Sequence, residues 1–282
     1  MHDKLKDAGH LIESAIAQYN PVAIFSLFSG GHDSLTMTHF VARYLGDRLT
    51  GVCHINIGIG IRQTREFVRN ICKQFGWRLL EYKATENVKA DGTPDPQIYS
   101  DIVVEHGFPG PGIHHIMYAR LKERQLLRLI RDHKTQWKDK ILLLSGARKK
   151  ESNRRMRNVI GIQKEGARIW VAPFQDFTDT DQQDYMTLFS LPKNPVKEYL
   201  CMSGECLCGS FAQPNELKEI ELWYPEAAAE IKAIEERARL AGQANHVWGV
   251  RPKTERQIEL LGGTEFLCAT CNYKYDRRNE NV

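Results

Sequence analysis

Ser29-Gly30-Gly31-His32-Asp33-Ser34 is the segment whose residue types and order could hold a phosphate. Two adjacent glycines permit positive φ and let backbone N–H groups come close to an oxyanion. An apolar run, 22–28, precedes them and a helical pattern follows, so the positive end of a helix points at the same place. Ser29 and Ser34 add hydroxyl donors. Asp33 repels an anion directly, but it could carry a Mg²⁺ that bridges phosphate oxygens, or it could cap the helix. The bland alternative is a capped strand-to-helix turn. Ser-Gly-Gly-x-Asp-Ser is far more specific than a lone glycine pair, and function is the favoured reading. Gly-x-x-x-x-Gly-Lys-Ser/Thr occurs nowhere, so this is not a Walker loop.

The second group that could do chemistry is a set of late cysteines. Of seven in the chain, Cys201, Cys206, Cys208, Cys268 and Cys271 fall in the last third. Thiolates bind soft metals, and a two-plus-two arrangement can close a tetrahedral site. Cys206, Cys208, Cys268 and Cys271 are the expected ligands, of either a zinc ion or a four-iron cluster. Cys201 is the spare, a candidate reactive thiol, and the roles could exchange. Buried, unligated thiols are the alternative. Cys53 and Cys72 lie on a strand and on the apolar face of a helix and are read as packing residues.

The elements that must position these groups alternate. Leu5, Ala8, Ile12, Ala15 and Ile16 mark an amphipathic helix over 1–20, ended by Pro21. Strands are expected at 22–28, 49–57, 78–82, 141–145 and 169–172, with helices after the glycine turn, over 67–75 and over 112–133. Residues 84–111, rich in Pro and Gly, read as a long loop or lid. The pattern predicts an α/β fold: an open, mostly parallel five-stranded sheet with helices on both faces. Ligands of such sheets sit beyond the carboxyl ends of the strands. The Ser29 turn, the Asn56 region and the Gly146-Ala147-Arg148 region each follow a strand and are expected to share one crevice. From about 191 the texture changes, and 216–241 reads as helical with a break near Pro225. The expected division is a nucleotide-binding domain, 1–190, and a small, cysteine-rich, mainly helical region, 191–282.

Composition sets outer limits. The 282 residues are 42% hydrophobic and 26% charged, ordinary for a globular protein with a sizeable core. No run approaches the roughly 18 apolar residues of a membrane helix, and Met1–Lys6 lacks the apolar stretch of a secretory signal. The expected compartment is the cytoplasm. A net charge of +4 is weak evidence for an anionic partner, and the basic run from Arg148 to Arg157 reads alone as a solvated turn.

A resemblance changes that last reading. Ser29–Ser34 resembles the PP-loop of ATP pyrophosphatases, in the branch that holds the phosphoadenosine phosphosulfate reductases, whose fold is the adenine nucleotide alpha-hydrolase type. The family has Lys where this chain has His32. Asn56-Ile57-Gly58 followed by Thr64 is similar to the family's Asp-Thr-Gly segment, with Asn56 in place of the acid. Gly146-Ala147-Arg148 through Glu151, Ser152, Arg154 and Arg155 resembles its Gly-x-Arg-x-x-Glu-Ser-x-x-Arg segment. The resemblance therefore implies that Arg148 and Arg155 hold phosphate or sulfate, with a guanidinium fork suited to bidentate contacts. Gly107-Phe108-Pro109-Gly110, then His114 and Lys122, resembles a further stretch. Lys122 either reaches the phosphates or is an exposed helix position. His114 and His115 are read as structural or substrate-facing.

Taken together, the nucleotide-site candidates are Ser29, Gly30, Gly31, His32, Asp33, Ser34, Asn56, Gly58, Gly146, Arg148 and Arg155. Asp33, Lys122, Arg148 and Cys201 are the candidates for chemistry. The resemblance implies ATP or an adenylyl sulfate-type nucleotide, Mg²⁺ and a 4Fe–4S cluster, with Zn²⁺ the alternative. Three functions follow. The first is adenylylation of a substrate, in particular a nucleic acid, for sulfur transfer, with a sulfur-donor or electron-donor protein as partner. The second is reduction of adenylyl sulfate or its 3′-phosphorylated form to sulfite. That reductase type carries a C-terminal Glu-Cys-Gly-Leu-His motif, of which Gly204–Gly209 shares only Glu205-Cys206. The third is a non-catalytic nucleotide-binding assembly subunit, suggested by His32 and Asn56.

Overall fold

A computed structural model of the chain describes residues 1–110, 114–151, 159–213 and 215–249. They form two compact units. The first takes Met1–Ile55, Arg65–Tyr82 and Leu127–Asn194; the second takes Asn56–Thr64, Lys83–Leu126 and the chain from Pro195.

In the first unit β1 (Ala23–Leu27) and β4 (Ile141–Leu144) are buried at every position. Apolar runs of this kind belong at the middle of a parallel sheet covered on both faces. With β2 (Gly51–Asn56), β3 (Leu79–Lys83), β5 (Ile162–Glu165) and β6 (Arg168–Val171), they make a sheet of order β3-β2-β1-β4-β6-β5. β2, β1, β4 and β6 run parallel, with Phe25 opposite Gly51 and Leu143. The sheet is mostly parallel as expected, but it has six strands rather than five. β5 is short, half exposed and antiparallel to β6. Its Ile-Gln-Lys-Glu lacks an apolar pattern, so it is legible only through the two-residue turn at Gly166, whose φ is 60°.

Side chains alternate across the strands. Ile24, Leu142, Leu144, Ile169 and Val171 face α1 (His2–Tyr19) and α2 (His32–Leu45), whose Ala8, Ile12, Met37 and Val41 complete one core cluster. Phe25 points to the other face and meets His133 edge-on at 4.7 Å. That histidine ends α6 (Arg124–His133). A second cluster joins Phe28, Leu35 and Val52 to α3 (Arg62–Gln74) and α7 (Asp179–Leu188). Leu142, Leu143 and Leu144 are wholly buried. Each such side chain contributes about 2 kcal/mol.

His39 of α2 lies in this core among Phe75, Tyr185 and Phe189, and its Nδ1 is 2.9 Å from the Tyr185 hydroxyl. Burial, helped by the charge of Arg43, lowers its pKa from 6.5 to about 4. The unfolded chain therefore binds this proton first on acidification. Stability should be full above pH 6.5 and fall toward pH 4, at up to about 1.4 kcal/mol per pH unit from this residue. Urea titrations between pH 7.5 and 4.5 should show a shallower loss for His39→Gln than for the unaltered chain. Equal slopes would remove His39 as the cause.

The second unit is built from α4 (Tyr99–His106), α5 (His114–Met117), α8 (Pro195–Leu200), α9 (Glu216–Trp223) and α10 (Pro225–Leu240). α5 runs through a wide π turn, Tyr118–Glu123, into α6. The expected loop over 84–111 is thus partly helical. Tyr99, Ile102 and Val103 recur at helical spacing and are buried. Their neighbours are β-branched and polar, so propensity alone did not mark the segment. Gln243 Nε2 donates to the Val104 carbonyl, and Arg237 bonds Ser100 and Asp101, which ties α4 to α10.

Candidate functional site: a phosphate loop and a thiol pair

In the first unit β1 ends at Leu27 and α2 begins at His32, so Phe28–Gly31 is a tight loop. Gly30 has φ 80°, open to glycine at no steric cost. Gly31 is the N-cap of α2 and is extended, and the first intrahelical bond runs from the Leu35 N–H to the Gly31 carbonyl. The N–H groups of the first turn of α2 therefore point out of the helix end, toward the loop. Ser34 closes the loop. Its Oγ accepts from the Ser29 N–H at 3.3 Å, donates to the Gly31 carbonyl at 2.9 Å and lies 3.1 Å from Ser29 Oγ.

The end of β4 reaches the same place. A Cβ on Gly146 would lie 2.8 Å from Ser34 Cα and 2.9 Å from Ser34 N, so only glycine lets the two backbones approach. Two residues on, Arg148 turns back to the loop with 2% exposure. Its Nε donates to Asp33 Oδ1 at 2.6 Å, its Nη2 to Asp179 Oδ1 at 2.9 Å and its Nη1 to the Phe177 carbonyl at 3.3 Å. Burial works against the guanidinium charge, but the charges and hydrogen bonds of Asp33 and Asp179 outweigh it and raise the pKa further. Gln182 Nε2 adds a second bond to Asp33 Oδ1 at 2.7 Å.

Asp179 and Gln182 are presented by α7, which is fixed by a reciprocal cap. Thr178 Oγ accepts from the Asp181 N–H, and Asp181 Oδ2 accepts from the Thr178 N–H. Burial opposes the Asp181 charge, yet the bonds from Lys4 and Thr178 hold its carboxyl well below the usual range. Asp179 and Gln182 were missed in the sequence. The Thr-x-x-Asp signature at 178–181 marks the helix start but says nothing of what the helix faces.

The structure thus brings Ser29, Gly30, Gly31, Asp33, Ser34, Gly146 and Arg148 together. His32 is half-buried, and its carbonyl accepts from Thr36 Oγ. The Arg148 fork expected to take an oxyanion is engaged by two carboxylates and a carbonyl. Arg155 lies outside the described residues.

In the second unit Asn56 shapes its own turn: its Oδ1 accepts from the N–H of Gly58, which has φ 86°. The chain that follows lies along Ser203–Leu207. Ile61 N–H donates to the Gly204 carbonyl, Leu207 N–H to the Ile59 carbonyl, and the Thr64 hydroxyl to the Ser203 carbonyl. A Cβ on Gly60 would sit 2.5 Å from the Glu205 carbonyl oxygen, so this approach too requires glycine.

That contact sets Cys206 and Cys208 beside a small cavity of about 10 Å³, also lined by Ile57, His114, Met117, Tyr118, Leu121 and Lys122. Lys122, on the π turn, is buried and pairs with buried Glu205 at 3.2 Å. It is not an exposed helix position. A hydrogen bond with the Cys208 side chain, together with burial, pushes the Cys206 thiol well above its ordinary pKa. The Cys208 carbonyl accepts from the Tyr99 hydroxyl at 2.9 Å, and the Leu207 carbonyl from the Trp248 indole at 2.8 Å. Ser210 Oγ bridges Cys208 Sγ at 3.4 Å and His114 Nδ1 at 2.9 Å. His114 is buried, held by Ser210, and lines the cavity. Cys201 is exposed, has φ 54° and does not line the cavity. Cys268 and Cys271 lie outside the described residues. Among the described residues no three His, Cys, Asp or Glu side chains group as metal ligands, and no helix is long and apolar enough to cross a membrane.

A parallel sheet whose first strand ends in a glycine loop and a helix N-terminus defines a phosphate-binding class of α/β protein. The phosphoadenosine phosphosulfate reductase domain model matches residues 23–203, and the chain belongs to that family. No curated protein sequence matches the chain. Among solved structures it is similar to phosphoadenylyl-sulfate reductase from Candida auris in a phosphate complex, with 14% identity over 68% of this chain and 84% of that one, at a TM-score of 0.47. It is similar also to Candida glabrata FMN adenylyltransferase with ATP, at 11% identity, 70% and 58% coverage and a TM-score of 0.47. The match therefore spans less than two thirds of that enzyme. The U34-tRNA thiolase NcsA from Methanococcus maripaludis, with its [4Fe-4S] cluster, matches at 11% identity, 85% and 79% coverage and a TM-score of 0.39.

Proposed function

We propose that the chain binds ATP through the Ser29–Ser34 loop and adenylylates an acceptor for sulfur transfer, with nucleic acid as the acceptor class. The observation that carries this reading is the loop itself, a glycine turn closed by Ser34 under the N-terminal end of α2, with Asp33 held by Arg148. The N–H groups at that end suit the pyrophosphate portion of ATP. Both bonds to Asp33 end on Oδ1, and Oδ2 is the hard oxygen that would hold Mg²⁺. An acceptor oxygen attacks the α-phosphorus, the bond to the oxygen bridging to the β-phosphate breaks, and pyrophosphate leaves; Mg²⁺ held at Asp33 would offset the charge that develops on it. The terminal sulfur of a persulfide-class donor then bonds to the activated carbon and displaces AMP, and a thiol reductant cleaves the resulting disulfide to free the thiolated acceptor.

Cys206 and Cys208 suit a soft metal or an iron–sulfur cluster. Both thiols line one small cavity, and a bound metal would replace the proton that burial and the hydrogen bond to Cys208 hold on Cys206. With Cys268 and Cys271 they would make a four-thiolate set supplying sulfur or electron chemistry. A second reading, adenylyl sulfate reduction to sulfite, is favoured by the family match over residues 23–203. The raised pKa of Cys206 weighs against that residue as a free thiolate nucleophile.

One experiment separates the two readings. The anaerobically purified chain is incubated with Mg-ATP and candidate nucleic acids, or with adenylyl sulfate or its 3′-phosphorylated form and a reductant, and its iron and zinc are measured. Pyrophosphate formed from ATP only in the presence of acceptor supports adenylylation. Sulfite without pyrophosphate replaces that reading with the reductase. Metal retained equally by Cys206→Ser would remove the thiol pair as the metal site.

A further inference from the structure

Asn194 belongs to no motif and is wholly buried, yet its side chain reaches the phosphate loop. Its Nδ2 donates to the Gly30 carbonyl oxygen at 2.9 Å. A trans peptide is planar, so the Gly30 carbonyl and the Gly31 N–H point in opposite directions. Whatever holds the one aims the other. Glycine at φ 80° tolerates many ψ values, and an untethered 30–31 peptide could rotate and turn its carbonyl toward the phosphates. The next carbonyl, of Gly31, is likewise taken, by Ser34 Oγ and the Leu35 N–H. With both carbonyls bonded, this turn presents donors to a ligand.

Resting on the reading that Ser29–Ser34 binds the nucleotide phosphates, we infer that Asn194 is a positioning residue of that site: it locks the Gly30–Gly31 peptide so that the Gly31 N–H faces the pyrophosphate portion. Asn194 also ends the first unit, so the last residue of that unit sets the geometry of a loop near its start.

The test uses the full chain, with inorganic pyrophosphate and ATP as probes in the presence of Mg²⁺. Asn194→Ala and Asn194→Asp should each weaken calorimetric affinity about tenfold, the effect of one charge-assisted hydrogen bond misplaced. Asn194→Asp should be at least as weak, because a carboxylate cannot donate to Gly30. A merely structural role would lower the melting temperature and leave affinity measured well below it unchanged. In the unaltered chain, the Gly31 amide resonance should move downfield on pyrophosphate addition, and by more than that of Gly30. Affinities of both variants within twofold of the unaltered chain, or an unmoved Gly31 amide while pyrophosphate binds, would overturn the inference alone. If the variants do not fold, the amide titration decides. If the unaltered chain binds neither probe, the nucleotide reading falls and the inference with it.

Discussion

Arg148→Ala should cost about 3 kcal/mol of stability and at least a hundredfold in nucleotide affinity. The arginine lies between two carboxylates, bonding Asp33 at 2.6 Å and Asp179 at 2.9 Å. Removing it leaves two like charges near each other, with Asp33 mostly shielded from water. Breaking a buried pair from one side costs about 3–5 kcal/mol, and the lower figure applies because Asp179 is 38% exposed. The loss in affinity has a different origin. Asp33 precedes Ser34, which closes the loop, so an unanchored Asp33 loosens the helix end that carries the phosphate donors. Arg148→Lys should recover only part of either effect, because an ammonium cannot span Asp33, Asp179 and the Phe177 carbonyl together. Urea denaturation and calorimetric titration with ATP measure the two losses. Affinity unchanged in Arg148→Ala would take Arg148 and its pair with Asp33 out of the site.

Gly146→Ala is expected to be nearly as damaging, through volume and not charge. The added methyl would sit 2.8 Å from Ser34 Cα and 3.0 Å from the Asp33 carbonyl carbon. These are backbone atoms of the first turn of α2, and neither can rotate away. The strand end or the helix must shift, at a cost of about 1–3 kcal/mol. A shift of a few tenths of an ångström there also misaligns the amides of residues 32–34, so ATP binding should fall more than tenfold. Gly166→Ala is the control. It has equal chemistry but open space around its Cβ, and its φ of 60° strains any side chain. It should lower stability and leave affinity alone. Equal loss of ATP affinity in both variants would show that the fold in general, and not the approach of residue 146 to the loop, is what matters.

Much of the fold was legible because its signals are local and strong. Buried strands such as Ile141–Leu144 announce themselves by apolar runs, and the glycine turn is bounded by one of them. β5 and the helix Tyr99–His106 were not legible, since their apolar pattern is thin and tertiary packing decides them. The site divides in the same way. Ser29–Ser34 and Gly146-Ala147-Arg148 stand out by type and spacing. Asp179, Gln182 and Asn194 do not, because an Asp, a Gln and an Asn on ordinary elements acquire meaning only from what they touch. Sequence could offer Arg148 to an anion, but not show that two aspartates already share it. Lys122 could be weighed as a solvated lysine because no local pattern ties it to Glu205, 83 residues away.

The clamp on Gly30 comes from a residue 164 positions later in the chain. At a synthesis rate of about 5–20 residues per second, the loop waits roughly 8–30 seconds on the ribosome before Asn194 has been made. Arg148, Asp179 and Gln182 also arrive late. On the proposed nucleotide reading, a nucleotide met by the nascent chain would find glycines without their tethers, and its stabilising effect would begin only when the last strand and the helix after it have docked, as a seal on a finished domain.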